Sequence, residues 1–357
     1  MLSAILKRKS EAQVPESAST GLWQLAMRRL KRDKIAMFSF WVVMFYFIML
    51  VLSMTGLVAK NWNAEVAVSY APPSFMSAPA AEVSAPQQAA VAQTSEIVTV
   101  DDEGIVDPLA ADMQAINAEL GGQLMEQQSE LKQSLWFGAD KWGQDIILKT
   151  IKGAETSILV GLIAALLSVA IGTVLGAISG YFGGWVDDVL NWFYNIFTSI
   201  PYLLLVLAIA AVLQQKGIFS IVMILGLTGW TGVFRLIRAE YMKHTSREYV
   251  LAAKAIGVSH TRRMFVHIFP NVSHIALVQT SILVVAFIKS EVILSFLGFG
   301  VPVGVVSWGS MLNEAQSELI LGKWWQLAAA SIAMAVLVTA FSMFTDALRD
   351  ALDPKLK

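Results

Sequence analysis

Four histidines, His244, His260, His267 and His274, are the side chains of this sequence best suited to binding a metal or moving a proton near neutral pH. The last three are seven residues apart, and none sits in a His-Glu-x-x-His pattern, so no metal site is expected. The chain has no cysteine, which removes disulfides, thiolate ligands and cysteine nucleophiles. It also lacks the Gly-x-Ser-x-Gly turn that presents a nucleophilic serine. Gly322 and Lys323 match the end of a phosphate-binding loop. However, Ser317 replaces its first glycine and Trp324 replaces its closing Ser or Thr. The backbone cradle for phosphate is therefore missing, and the chain is not expected to bind ATP itself. No catalytic residue, cofactor or nucleic-acid partner is expected. The energy for any active process must come from a partner or an ion gradient.

Two charges stand out because of where they lie. Lys289 and Glu291 interrupt the otherwise apolar stretch 274–297. Charges inside such a stretch face a bundle interior or water, so both are candidates for a polar step on a solute path or an outer gate. The alternative is structural: the lysine snorkels to the interface and the glutamate serves packing. Pro201 lies within a third apolar stretch and kinks it, to serve either a pathway or packing. Gly172, Gly176 and Gly180, with Gly161 upstream, clear one helix face for close approach of another backbone.

The elements that hold these residues are membrane spans. Of the 357 residues, 56% are apolar and 15% charged, more apolar than a soluble core of this size can bury. Six stretches are candidate spans: 35–59, 157–179, 189–213, 218–234, 274–297 and 324–344. Each must be helical, because lipid cannot satisfy open backbone groups. The first reads as a retained anchor rather than a cleaved signal. The fold class expected is an all-α integral membrane protein with about six spans.

Lys and Arg cluster in 1–34, in the loop 235–273 and in the tail 346–357. The segment 60–135 carries Lys60 and Lys132 against eleven Asp and Glu. The positive-inside rule then places both termini and the loop 235–273 in the cytoplasm. The expected organisation is a cytoplasmic segment 1–34, a first span 35–59, an acidic external loop 60–135, a core 136–345 with five spans, and a cytoplasmic tail 346–357. Within the external loop, 71–95 is rich in Ala, Pro, Ser and Gln and reads as a flexible linker, while 109–133 suits short amphipathic helices. Segment 136–152 suits an interfacial elbow.

The loop 235–273 is the most informative stretch. Residues 246–256 suit a short helix exposing Ala252 and Ala253. Gly257 suits a left-handed helix end, Ser259 suits a cap, and a second short helix is expected to stop before Pro270. Two short helices meeting at a bend and standing out from a membrane suit insertion into a partner's groove. The alternative is a loop resting on headgroups through Arg262 and Arg263.

The run from Glu248 through Ala252, Ala253 and Gly257 to Pro270 and Asn271 resembles the EAA loop of ABC-importer permeases, in the form found in the dipeptide/oligopeptide/nickel family. The segment from Phe137 through Asp140 and Gly143 to Asp145 is similar to that family's entry to the second span. Gly180 to Asp187 is similar to the turn after it, Leu294 to Leu312 to its external segment, and Leu348 to Pro354 to its tail. Departures are Leu251 for the motif's Glu, Thr345 for a Gly, Ala139 and Gln144 for Thr and Arg, and a longer insert at 61–134.

The resemblance implies a permease subunit of the C type in the inner membrane of a bacterium or archaeon, with the type I importer architecture. It implies pairing with a second, homologous permease, two ATP-binding cassette ATPases and an external binding protein that delivers a peptide or similar small solute. It also implies that Glu248, Ala252, Ala253, Gly257 and Pro270 make mechanical contact with the ATPases. An ion-coupled secondary transporter and an ABC exporter subunit are the alternatives.

Overall fold

The computed structural model describes residues 30–76, 131–215 and 217–352. Most of the expected linker 71–95, most of 109–133, most of the N-terminal segment and Asp353 and Pro354 of the tail lie outside them; the described start of that linker, 71–76, packs onto 135–139 instead of running free, with Ala71 buried and the Ser74 amide bonded to the Leu135 carbonyl. Among the described residues the chain is helical, with isolated β-bridges only, such as Glu65 with Gln144 and Pro73 with Leu135.

Helix α1 spans Lys34–Met54 and opens on Asp33, whose carboxylate accepts from the Ile35 and Ala36 amides. Helix α2, Ile146–Phe182, starts the same way on Asp145 and runs 37 residues. Then follow α3 (Gly184–Thr198), α4 (Tyr202–Leu213), α5 (Ile218–Thr228), α6 (Thr231–Thr245) and α7 (Glu248–Ala255). A single turn, α8 (His260–Arg262), leads through a π-helical stretch, Arg263–Ile268, into α9 (Phe269–Phe296). Two helices close the chain, α10 (Trp308–Ile320) and α11 (Trp325–Leu352).

Among the described residues, five helical rods are long and apolar enough to cross a membrane, and α3 with α4 makes a sixth if that bent pair is one span. Stretch 189–213 was expected to be a helix kinked at Pro201. Instead the chain turns 82° between α3 and α4. Pro201 carries extended backbone (φ −55°, ψ 129°) and precedes α4 rather than lying within a helix. The proline has no amide to donate, and it pushes the residue before it out of helical geometry.

Helix α2 is the central post, packed against α6, α9 and α5. Its glycines allow this. A Cβ on Gly172 would lie 2.7 Å from the Trp230 carbonyl oxygen, and one on Gly176 would lie 2.8 Å from that of Phe234. A Cβ on Gly180 would collide with the Arg238 carbonyl, and one on Gly161 would meet Ile288 of α9. Successive residues four apart thus set α2 directly on the backbone of α6.

At one end of the bundle, Asp187 closes this joint. The Arg238 guanidinium donates to both of its oxygens, through Nε at 2.6 Å and Nη2 at 2.5 Å. The Ser179 hydroxyl and the Asn191 amide donate to it as well. In the acidic turn after α2, Asp187 is thus paired within the bundle, while Asp188 is exposed at this basic end of the molecule. At the opposite end, residues 57–76 and 131–145 fold over the bundle. They are pinned by Trp325 Nε1, which donates to the Ala139 carbonyl at 2.7 Å.

Gly176→Leu should separate α2 from α6 and cost about 1–3 kcal/mol by overpacking. Gly232→Leu, on α6 with open space around it, should cost little. Thermal unfolding of the two purified variants compares these outcomes directly.

Candidate functional site

The stretch singled out in sequence forms a compact corner at the basic end. Glu248 in the first turn of α7 and Lys254 in its last turn both complement the helix dipole. Val250 and Ala253 face inward, 3% and 5% exposed, and Val250 belongs to a cluster that includes Tyr241, Met264 and Ile268. Glu248, Leu251, Ala252 and Ile256 are exposed. Both alanines were expected on the surface, but only Ala252 is. Neighbouring residues of a helix point about 100° apart, so a helix lying on the bundle turns one of them inward.

Gly257 adopts φ +80° in open space, as its place in the sequence predicts. The Val258 amide donates to the Ala253 carbonyl at 3.0 Å and the Gly257 amide to that of Lys254 at 3.1 Å. These are the two bonds of a Schellman helix end. Ser259 then stands at the N-cap with extended backbone, but its side chain makes no capping bond.

The second short helix does not stop before Pro270. Helix α8, the π-helical stretch and α9 form one continuous rod, His260–Phe296, with Pro270 in the first turn of α9. A proline inside a regular helix would drive its ring into the preceding turn. The wider turn of residues 263–268 opens that space. The corner is thus rigidly continuous with a membrane span.

Polar contacts hold the corner to the bundle. The Tyr241 hydroxyl donates to the Met264 carbonyl at 3.1 Å. His244 Nδ1 lies 2.8 Å from the Tyr249 hydroxyl, and Asn271 spans Tyr249 and the His267 carbonyl. Burial pushes the Tyr249 phenol above its ordinary value. His260 Nδ1 lies 3.1 Å from the Tyr181 hydroxyl, and its ring stacks on Phe182. Arg263 is 6% exposed, with its guanidinium over the Tyr181 ring. It therefore packs inward, and only Arg262 remains free for a headgroup. The four histidines are spread among these contacts. Among the described residues, no group of three or more His, Asp and Glu is placed to hold a metal.

The two charges of α9 part company. Glu291 is fully buried; it accepts from Ser157 Oγ and from Ser295 Oγ, each at 2.6 Å. Ser157 Oγ in turn accepts from the Trp308 amide at 3.3 Å. Glu291 thereby joins α2, α9 and the start of α10. Lys289 points the other way and is exposed, without an ion pair among the described residues. Pro201 is exposed, and the hydroxyl of its neighbour Tyr202 faces Thr228 and Ser290. Lys289, Ser290 and the α3–α4 break consequently share one region, with Glu291 behind it.

Sequence reasoning missed Lys149. It was read as part of an interfacial elbow, yet it is 2% exposed, with its ammonium 2.6 Å from Asp140 and 2.7 Å from Glu314. The available signal was a lysine one turn into a helix shortly after two aspartates.

Two families match this chain. Residues 172–357 match the family described as the binding-protein-dependent transport system inner membrane component. Residues 21–73 match the N-terminal TM domain of oligopeptide transport permease C. Over 222 residues the chain is 35% identical to the dipeptide transport system permease protein DppC of Bacillus subtilis, covering 62% of this chain and 69% of the relative. It is 37% identical to the oligopeptide transport system permease protein OppC of the same organism, again over 222 residues, 62% of this chain and 72% of that one. OppC of Mycobacterium tuberculosis is 36% identical over 220 residues, 61% and 75% of the two chains. Among solved structures, a chain of the MetNI methionine ABC transporter, in an inward facing conformation, superposes with a TM-score of 0.39 at 14% identity, covering 53% of this chain and 96% of that one. With the helical rods and the exposed corner in place, these matches identify the protein: it is a membrane-spanning permease belonging to the binding-protein-dependent transport system inner membrane component family.

Proposed function

We propose that this chain is the C-type permease of an ATP-driven peptide importer, paired with a second, related permease, two ATPases and an external binding protein. The single observation that carries this reading is mechanical. An exposed helix with Glu248 and Ala252 on its surface ends on left-handed Gly257 and turns directly into a single rod, His260–Phe296, which passes through Pro270 into the span that holds Lys289 and Glu291. Such a rod transmits a push on its exposed end across the membrane without bending. Peptide is favoured as cargo because the relatives at about 35% identity carry dipeptide and oligopeptide transport in their names.

In this reading the basic end, with both termini, faces the cytoplasm, and α7 with the turn after it docks in a groove of the ATPase. Ala253 supports the seat from beneath. Ile256, 81% exposed, and Leu251, 52% exposed, supply apolar contact. Lys289 and the break at Pro201 line the solute path, since an ammonium exposed at this depth requires water or a polar partner. Glu291 carries the motion of α9 to α10 through Ser157 and Trp308. The acidic segment 60–135 meets the binding protein.

Gly257→Val should lower ATP-dependent uptake of a labelled dipeptide at least about tenfold, because a β-branched residue resists the left-handed conformation. Recovery of the ATPases in a pull-down should fall with it, and membrane insertion should not change. Unchanged uptake and pull-down in this variant would remove the coupling role.

Lys289→Met should change the relative uptake of acidic and basic dipeptides in reconstituted vesicles, while ATP hydrolysis remains. Identical preferences would take Lys289 off the path. Uptake driven by a proton gradient without ATPases would replace the importer reading with a secondary transporter.

A further inference from the structure

At the end of the bundle opposite the coupling corner lies a buried polar cluster that neither coupling nor the solute path uses. Its centre is the Lys149 ammonium of α2, which already bonds two carboxylates. Asp140, from the segment folded over the bundle, lies at 2.6 Å, and Glu314 of α10 at 2.7 Å. Glu318, one turn further along α10, is 0% exposed. Neither of its carboxylate oxygens has a hydrogen-bond partner among the described residues. Gln326 of α11 is also 0% exposed. Its amide nitrogen donates to the Met311 carbonyl at 3.1 Å and to Glu314 at 3.2 Å, while its carbonyl oxygen has no partner.

The charges in this cluster do not balance. One ammonium serves two carboxylates, so a third negative charge on Glu318 would have no counter-ion in a place closed to water. Burying an uncompensated charge is costly, and the group answers by taking up a proton. A metal cannot supply the missing charge, since among the described residues the acids are not grouped to hold one. Once protonated, Glu318 carries no charge and can remain in this buried place with its oxygens unpartnered at far lower cost than as a carboxylate.

We propose that Glu318 is a proton-binding site that latches α10 to the outer end of the bundle: protonated and neutral, it stays buried and holds α10 in place, and deprotonated, its unpaired charge releases that helix.

The charged groups facing Glu318 are Lys149 from α2, Asp140 from the covering segment and Glu314 on its own helix. The Lys141 backbone amide faces it outside hydrogen-bonding geometry. Lys323, in the α10–α11 link, turns its ammonium toward the Trp325 ring instead. Glu291 lies behind the far end of α10, about 15 Å along the helix. Burial raises the Glu318 carboxyl first, and repulsion from Asp140 and Glu314 adds to it, against attraction from Lys149; the result is pushed up to about 7. The folded-state value lies above that of a free carboxyl. The contribution to stability is therefore complete below about pH 4.5 and is lost as pH rises through about 7.

The test is hydrogen exchange of amides 308–326 in the assembled transporter in lipid nanodiscs, at pH 6 and pH 8, corrected for intrinsic exchange rates. The wild type should lose protection there at least about tenfold between the two pH values, the effect of roughly one unit of linked proton affinity. Glu318→Gln should remain protected at both. Equal wild-type protection at the two pH values, or the same loss in Glu318→Gln, overturns the proposal. Infrared spectroscopy of the unmodified complex gives a readout that needs no variant. A protonated-carboxyl band should disappear with a midpoint near pH 7, and no band titrating in that range would overturn the proposal equally.

Discussion

The close backbone approach of α2 and α6 is the contact on which the rest of the bundle depends. Lipid gives apolar side chains no reason to prefer one another, so packing in a membrane rests on how nearly two helices can touch. Gly172, Gly176 and Gly180 bring α2 onto the carbonyls of Trp230, Phe234 and Arg238. That contact delivers Arg238 to Asp187 and lays Tyr241 over Met264, where the exposed corner is seated. Were α2 held away by even one methyl group per turn, the corner would lose its floor.

The corner shows how a helix can be both exposed and rigid. Helix α7 is too short to be stable alone. It persists because Val250 and Ala253 are buried against the span bases and because a Schellman end fixes its exit at Gly257. The π-helical stretch then solves a steric problem. It admits Pro270 without breaking the rod, so the turn that follows α7 leads straight into the membrane span.

Polar groups inside the bundle are met by hydroxyls and amides as well as by opposite charge. Glu291 is met by two serines and Asp187 by an arginine, a serine and an asparagine. Lys149 is a buried ammonium between two carboxylates, and it joins the covering segment to α2 and α10. Residues 131–145 are thereby part of the bundle rather than an appendage. A movement of α10 must be felt at Asp140.

The sequence by itself determined that the chain spans a membrane, because the length and apolarity of each stretch are local properties set against a fixed lipid thickness. It also determined the left-handed end at Gly257 and the close helix face at Gly172, Gly176 and Gly180, since a missing Cβ has the same consequence in any context. Its resemblance to the importer permeases agrees with the family matched. Other features were decided only by tertiary structure, because they depend on what lies opposite a residue. Pro201 became a break of 82° rather than a kink, and Pro270 was passed through rather than stopping a helix. Ala253 turned inward where Ala252 did not. Lys289 and Glu291, two residues apart, went to an open surface and a closed core. Lys149 and Glu318 are buried only because a distant segment folds over the bundle and closes water away from them. Which charges are neutralised is a property of three-dimensional neighbours, and in this protein those neighbours are as many as 165 residues apart in the chain.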